Sequence, residues 1–465
     1  MDSQAAGESM NRETGRKWWL LIAMGAILGV ILLDETVVGV ALPTIQRDLG
    51  LTEVGSHWVV NVYMLLLASF AAAAGRTADI VGHRKLMILG LLTFGAASLA
   101  SGFADDGTML VVARGVQGLG AAIIFPSSLA MVTIAFPPEQ RGFALGTYGA
   151  VGTIFLALGP MVGGLLTDFA SWRWIFWVNP PIVVLIAAIV LATWTEPARS
   201  EPADRLDMPG FLLLAGGLCM VIFATMEGPG WGWDHPAILL LLLGGLAVLL
   251  AFVAVERHVA GPLIDVAMFA DRTFSASNLV IFAAQYCKMG MFVFGAMYLQ
   301  DILKLSPLMA GLALLPTAAP QIVMAPLAGK ATDRFGARGP TLAGLVFMGA
   351  GFAIVTFGMA QESYLVMFPG LLAWGLSQAF LFVPPQHAVM SLVPLARHGQ
   401  AGGILMASQL VGATVGMAVC STIFSMTNDF WIVFMASLLF TLLVLLVAFA
   451  SIENPPTGAR QPATG

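Results

Sequence analysis

The sequence predicts an all-α membrane protein of fourteen transmembrane helices, arranged as two six-helix halves with a two-helix hairpin inserted between them. Three observations carry that prediction: the lengths of the apolar runs, the placement of Lys and Arg, and a loop motif that occurs twice.

The runs come first. Of 465 residues, 58% are hydrophobic and 10% charged, against roughly 25% charged in a soluble domain. Runs of about 20 apolar residues, rising 1.5 Å each, cross a hydrocarbon core of ~30 Å. They lack the period-2 alternation of barrel strands, so helices are expected. Fourteen can be marked, at 18–42, 57–75, 85–103, 109–135, 142–167, 174–195, 208–226, 236–255, 274–300, 307–329, 340–359, 364–384, 400–425 and 431–451. The first follows a polar start ending in Arg16-Lys17. It is too long for a cleaved signal peptide and is read as a retained helix.

Positive residues are retained in cytoplasmic loops. With both ends inside, cytoplasmic segments hold 16 of the 21 Lys and Arg, outer loops hold Arg47, Arg173 and Lys304, and Arg114 and Lys288 fall within helices. That asymmetry supports an even number of crossings and both termini in the cytoplasm, in the cell membrane.

The third observation is the repeat. Gly75 to Arg84 and Gly329 to Arg338 both read G-[RK]-x-x-D-x-x-G-x-R, and Asp79 and Asp333 lie 254 residues apart. Arg141 and Gly146 recur as Arg397 and Gly402, offset by 256. The expected organisation is a first half at 1–196, a hairpin at 197–273 and a second half at 274–465, with a central cavity between the halves.

Several function classes are excluded. The net charge of -5 is spread over loops, so no nucleic-acid footprint is present. Cys219, Cys287 and Cys420 sit far apart in apolar runs and imply neither a disulfide framework nor a metal site. No phosphate-cradling G-x-x-x-x-G-K-[ST] and no H-E-x-x-H or G-x-S-x-G occurs. No cofactor is expected, and the chain does not read as an enzyme. An ion gradient must then supply the energy of any transport, and embedded carboxylates suit the proton.

The cytoplasmic motif, Gly75-Arg76-Thr77-Ala78-Asp79-Ile80-Val81-Gly82-His83-Arg84-Lys85, resembles the loop signature of the major facilitator superfamily. Thr77 and Ile80 depart from it. Leu33 to Pro43 is similar to the helix 1 signature of the fourteen-helix drug:proton antiporter family, with Gly39 where Asn is usual. Ser171 to Pro180 resembles that family's element at helix 6, and Trp58-Val59-Val60 with Tyr63 fits as well. Gly146, Gly152, Gly159-Pro160 and Gly163-Gly164 on helix 5 resemble the antiporter motif, with Phe155 where Gly is usual. The resemblance implies the major facilitator fold, export rather than uptake, and a latch between the halves. Gly75, Asp79, Arg84, Asp333, Gly159 and Pro160 are the implied gating residues, and Asp79 is expected to meet Arg76, Arg84 or the start of helix 3.

Ionisable residues within the membrane cost several kcal/mol unless paired or serving a function. Asp34 and Glu35 lie about 12 Å from the outer end of helix 1, and Arg114 about 8 Å from that of helix 4, by helix rise. The three therefore share a depth if those helices adjoin. Neighbours on a helix point about 100° apart, so one acid can face Arg114 and the other the cavity. Arg114-Gly115-Val116-Gln117-Gly118-Leu119-Gly120 resembles the superfamily's helix 4 motif, whose Arg is tied to proton transfer. Asp34, Glu35 and Arg114 are thus the proton-coupling candidates, against a static ion pair that merely locks two helices. Burial favours a protonated carboxyl group and a nearby Arg an ionised one, so movement between such settings can load and release a proton.

Lys288 lies near the midplane of helix 9. It either neutralises Asp34 or Glu35, or meets an anionic substrate group, or is neutral, as burial favours. Asn61, Tyr63, Gln117, Gln285, Lys288 and His387 are the substrate-cavity candidates, each also explicable as interhelical glue. Trp231 and Trp233 read as interfacial anchors. The expected function is proton-coupled export of lipophilic, cationic small molecules by a monomer whose partners are substrate, protons and the bilayer. Export of an anionic or zwitterionic metabolite is the alternative, and a non-transporting receptor or lipid-handling scaffold the second.

Overall fold

The computed structural model describes residues 2–197, 206–259 and 261–453; the side chains of residues 2–14, 35, 53, 160, 307 and 308 lie outside that description. Every regular element among the described residues is a helix. Amides in hydrocarbon find no water, so each apolar run satisfies its own backbone by coiling.

The first half contains α1 (Asp2–Asp48), α2 (Glu53–Val81), α3 (His83–Gly102), α4 (Gly107–Ala135), α5 (Arg141–Phe169) and α6 (Trp174–Thr193). The hairpin is α7 (Met208–Trp231) and α8 (Pro236–Glu256). The second half contains α9 (Arg272–Asp301), α10 (307–335), α11 (Arg338–Ala360), α12 (Tyr364–Leu392), α13 (His398–Thr427) and α14 (Phe430–Ser451). Among the described residues, 13 helices are long and apolar enough to cross a membrane. The other is α10, which breaks at Leu314 into Pro307–Ala313 and Leu315–Phe335 and carries Pro320 and Pro326 inside. It nevertheless packs between α5 and α12 and completes the second half.

The halves repeat the same packing. α1 packs on α4, α5 and α6; α2 packs on α4; α3 packs on α4 and α6. Adding eight to each label gives the second half: α9 on α12, α13 and α14, α10 on α12, α11 on α12 and α14. The seams between halves obey the same rule, α2 against α13 and α5 against α10. The duplicated loop motif therefore reports a duplicated half.

The repeat register differs from the sequence expectation at one place. Gly146 abuts Ala325 and Pro326, whereas Gly403 abuts Ala71 and Ala72. Ala71 and Ala72 precede Ala325 and Pro326 by 254 residues, so the counterpart of Gly146 is Gly403, at an offset of 257, not Gly402. Chemical identity at Arg141 and Arg397 suggested the other register; backbone contact across the seam sets the real one.

The motif glycines have physical reasons. Gly82 (φ 112°) and Gly336 (φ 78°) form the turns before α3 and α11, where a side chain would be strained. Beyond that turn, Glu196 caps α3: its carboxylate accepts from His83 N (2.9 Å), Arg84 N (3.1 Å) and Trp194 Nε1 (3.0 Å). Burial pushes this half-buried carboxyl up, but those donors outweigh it and hold it below the ordinary range. The stability it contributes is therefore present above the ordinary carboxylate pKa and lost as pH falls through the lowered value. Glu196→Ala should cost about 1 kcal/mol at neutral pH, the worth of an N-cap, and the difference from wild type in detergent melts should vanish in acid.

The hairpin covers one seam. α7 packs against both α2 and α13, with Phe211 on Phe70 (5.8 Å) and Phe223 on Trp58 (5.3 Å). Trp233, expected as an interfacial anchor, instead turns inward and donates from Nε1 to Thr422 Oγ1 at 2.7 Å. It ties the hairpin to α13. Trp231 remains half exposed.

Candidate functional site

A buried ionic cluster lies inside the first half. Asp34 on α1 and Arg114 on α4 are 1% and 0% exposed. Arg114 Nη1 donates to Asp34 Oδ2 at 2.5 Å and to Gln117 Oε1 at 2.9 Å, and its Nε donates to Val59 O at 3.1 Å. Gln117, one turn further on α4, donates from Nε2 to Asp34 Oδ1 at 2.9 Å. Asn179 Nδ2 donates to the same oxygen at 3.3 Å and to Ser98 Oγ at 3.0 Å, bringing in α6 and α3. Tyr63 lies beneath the guanidinium, 4.3 Å from ring centroid to Arg114 Cζ. Both charges have lost their water, so this pair persists because its geometry and extra hydrogen bonds offset a large desolvation cost. The cluster built on this one carboxylate thus joins five helices, α1, α2, α3, α4 and α6. Glu35 is on α1, but its side chain lies outside the described residues.

Sequence reasoning expected Tyr63 and Gln117 to line the cavity. Both join the ion pair instead, because i and i+3 place Gln117 beside Arg114 and Tyr63 lies on the α2 face turned to α4. Asn61, two residues away, points some 200° round that helix and is absent from the cavity lining. Asn179 was missed as a site residue. The available signal was a polar residue ahead of Pro180-Pro181 in an otherwise apolar run.

The cavity lies between the halves and has two unlike walls. The first half contributes Leu28, Leu32, Phe125, Gly149, Thr153 and Leu156. The second contributes Gln285, Lys288, Gln321, Gln378 and Gln409, beside Ile281, Ala284, Leu381 and Phe382. One wall is mainly apolar and the other is set with amides and an ammonium group. Its inner volume is about 60 Å³, far below the ~300–1,000 Å³ of drug-sized sites. In this conformation it is drawn in around its lining. Lys288 sits just before a π-helical turn at Gly290–Phe294, a helix irregularity often found at functional positions.

The repeated loops close one end of the bundle. Asp79, at the end of α2, caps α13 of the other half, accepting from Gly399 N and Gln400 N, both at 2.8 Å. Asp333, at the end of α10, caps α5 of the first half, accepting from Gly142 N (2.7 Å) and Phe143 N (2.9 Å). Anionic caps suit helix N-termini, where free amides and the dipole converge. Gly75 lies against the Gly399 carbonyl and Gly329 against that of Gly142, so a β-carbon at either would force the seam apart. Each latch thus crosses from one half to the other. Asp79 meets the start of α3 as expected, through His83, but the sequence did not show that its carboxylate also caps α13 of the other half.

The remaining candidates fall near these contacts. His83 Nε2 lies 3.3 Å from Asp79, and His387 Nε2 lies 3.8 Å from Asp333. His387 therefore belongs to a latch and not to the cavity. Arg84 donates to Leu191 O at 3.1 Å, at the end of α6, and takes no part in the seam. Gly159 packs α5 onto Thr36 of α1, away from the latches. The side chain of Pro160 lies outside the described residues.

Comparison with known proteins agrees with this architecture. The sequence profile of the Major Facilitator Superfamily matches residues 24–255 and 276–465. The puromycin resistance protein pur8 of Streptomyces alboniger is 36% identical over 413 residues, 88% of this chain and 82% of that protein. The tetracenomycin C resistance and export protein of Streptomyces glaucescens is 31% identical over 408 residues, 87% of this chain and 75% of that one. The crystal structure of the human organic anion transporter MFSD10 superposes with a TM-score of 0.68 at 16% identity, covering 93% of this chain and 99% of that chain. At that identity it speaks for the fold alone. Among the described residues, twelve helices in two repeated halves with a two-helix hairpin between them, crossed caps joining the halves, and a profile spanning both together establish that this chain is a membrane transporter, not an enzyme, and belongs to the Major Facilitator Superfamily.

Proposed function

We propose that this protein is a proton-coupled exporter of lipophilic small molecules, of the multidrug-efflux type, acting as a monomer in the plasma membrane with both termini in the cytoplasm. The observation that carries the proposal is the Asp34–Arg114 pair, a carboxylate buried within a transporter whose sequence contains no phosphate-cradling G-x-x-x-x-G-K-[ST] motif. Protonation of Asp34 removes its charge and weakens its hold on Arg114, Gln117 and Asn179. α1 is then freer to move against α4 and α6. Leu28 and Leu32 of α1 line the cavity, so that movement reshapes the substrate site. Loss of the proton to the cytoplasm restores the pair. Asp34 is the first coupling candidate and Glu35 the second.

The names of the relatives support a drug-like substrate. One confers puromycin resistance and another exports tetracenomycin C, and the apolar wall of this cavity suits such molecules. The test is a substrate panel added to everted membrane vesicles with an imposed pH gradient. Lipophilic substrates should collapse the gradient in vesicles holding this protein and leave controls unchanged. Transport that proceeds without proton movement would sink the proposal.

Lys288 favours a second reading, export of anionic or zwitterionic molecules, because it is the charged residue among the described cavity lining. Lys288→Met separates the two. If Lys288 neutralises an acid within the protein, its loss makes that acid harder to ionise. The pH profile should then move to alkaline pH for every substrate alike, and cations should be accepted at least as well as before. If Lys288 reads substrate, anion export alone should fall, with the pH profile unmoved. We expect the first result, which keeps cations as the favoured class.

A further inference from the structure

The hairpin brings two acids together at the latch end of the bundle. Asp207 stands before α7 and Glu256 closes α8. Each uses one oxygen on a backbone amide: Asp207 Oδ1 accepts from Gly210 N at 3.0 Å, and Glu256 Oε2 from Ile264 N at 3.2 Å. The other oxygens, Asp207 Oδ2 and Glu256 Oε1, are buried with no hydrogen-bond donor among the described residues. They converge on Gly210, where a β-carbon would collide with both at once. Glu256 is 4% exposed. Two ionised carboxylates so placed repel each other, and a buried acceptor facing an acceptor is costly. A single proton turns that contact into an O–H···O hydrogen bond and belongs to the pair as a unit.

We infer that Asp207 and Glu256 form a proton-binding pair whose shared proton clasps the hairpin to the seat of the Asp79 latch. The connection can be traced bond by bond. Glu256 holds the amide of Ile264, and the neighbouring Leu263 carbonyl accepts from Gln400 Nε2 at 2.6 Å. Gln400 N is one of the two amides that Asp79 caps. Asp265, next in the loop, pairs with Arg397 at 2.6 Å, just before α13. The opposite latch has no such support, because Phe143 stands where Gln400 would and offers no side-chain donor. The clasp thus strengthens one of the two latches.

Several charged groups among the described residues lie on the elements packed around this pair. On α2, whose Phe70 touches Phe211, they are Arg76 and Asp79, with His83 beyond the turn. Arg397 and Asp265 face each other, Arg257 is the exposed C-cap of α8, and His258 Nδ1 lies 2.7 Å from Ala254 O. The folded pair retains a proton that two separated carboxyls release in mild acid. The clasp therefore holds at low pH and lets go as pH rises through its titration.

The test is amide hydrogen exchange of residues 261–271 in the full-length protein in lipid nanodiscs, across pH, with each rate divided by the intrinsic rate. In wild type, protection should fall about tenfold or more from the acid to the alkaline side, as local opening sets in. Glu256→Gln, whose amide donates permanently, should stay protected throughout, and Glu256→Ala should be unprotected throughout. The series is repeated with choline replacing sodium and potassium. Protection restored at alkaline pH by sodium or potassium would mean that the pair holds a cation, which overturns the shared proton. Wild-type protection that does not vary with pH overturns it too, and that measurement requires no variant to fold.

Discussion

Asp34→Asn should abolish substrate-driven proton movement while leaving the protein folded in the membrane. The amide oxygen can still accept from Arg114, so the shape of the cluster survives, but the guanidinium loses its counter-charge. Removing one partner of a buried pair costs about 3–5 kcal/mol when nothing replaces it. Asp34→Asn keeps one acceptor and should lose less; Arg114→Ala, which strands the carboxylate, should lose the full amount. The double variant Asp34→Asn with Arg114→Gln separates the two roles of the pair. Removing both charges at similar volume should recover most of the thermal stability in detergent without recovering coupling. Vesicles carrying Asp34→Asn that still collapse a pH gradient at the wild-type rate would move the coupling role to another acid, and Glu35→Gln is then the variant to measure.

The second large effect is expected at the crossed caps. Asp79→Ala deletes a carboxylate that holds two amides of α13, each charge-assisted bond worth about 1.5–3 kcal/mol. Asp333→Ala deletes the equivalent hold on α5, but its side chain is 12% exposed where that of Asp79 is fully buried. Water can therefore replace part of what Asp333 supplies, and Asp79→Ala should slow export more. Gly75→Val should act in the same direction by wedging the seam at Gly399, without removing any charge. Opening can be read directly from a cysteine introduced at the seam and labelled from the side of the membrane on which the latches lie. Both variants should raise its labelling rate, in proportion to their loss of export. Export at the wild-type rate in Asp79→Ala, with unchanged labelling, would remove the latch from the mechanism.

Much of this was legible in the chain because lipid leaves few options. An apolar run of some 20 residues must coil, so helix number and order follow from counting. The exception is α10, whose prolines and polar residues lower its apolarity although its place in the second half was readable from the repeat. The repeated Gly-x-x-x-Asp motif announced two equivalent halves, and the intramembrane charges singled out Asp34 and Arg114 because an unpaired charge there is prohibitive.

What stayed hidden was which residues meet. A motif records residue types along one chain segment, whereas Asp79 finds its partners 320 residues away, as amides that carry no side-chain signature. For the same reason Gly399 and Gln400 could not be recognised as a seat, nor Gly403 as the true counterpart of Gly146. Helical phase sent Tyr63 and Gln117 to the ion pair and Asn61 elsewhere, although all three read alike as polar residues in apolar runs. The sequence by itself determined the membrane, the helices, the duplication and the charges that had to be neutralised, since each follows from local composition and the solvent. The tertiary structure alone decided the partners: the crossed caps, the amide-lined cavity wall and the two acids converging on Gly210, because contact depends on helix rotation and on packing between segments far apart in the chain.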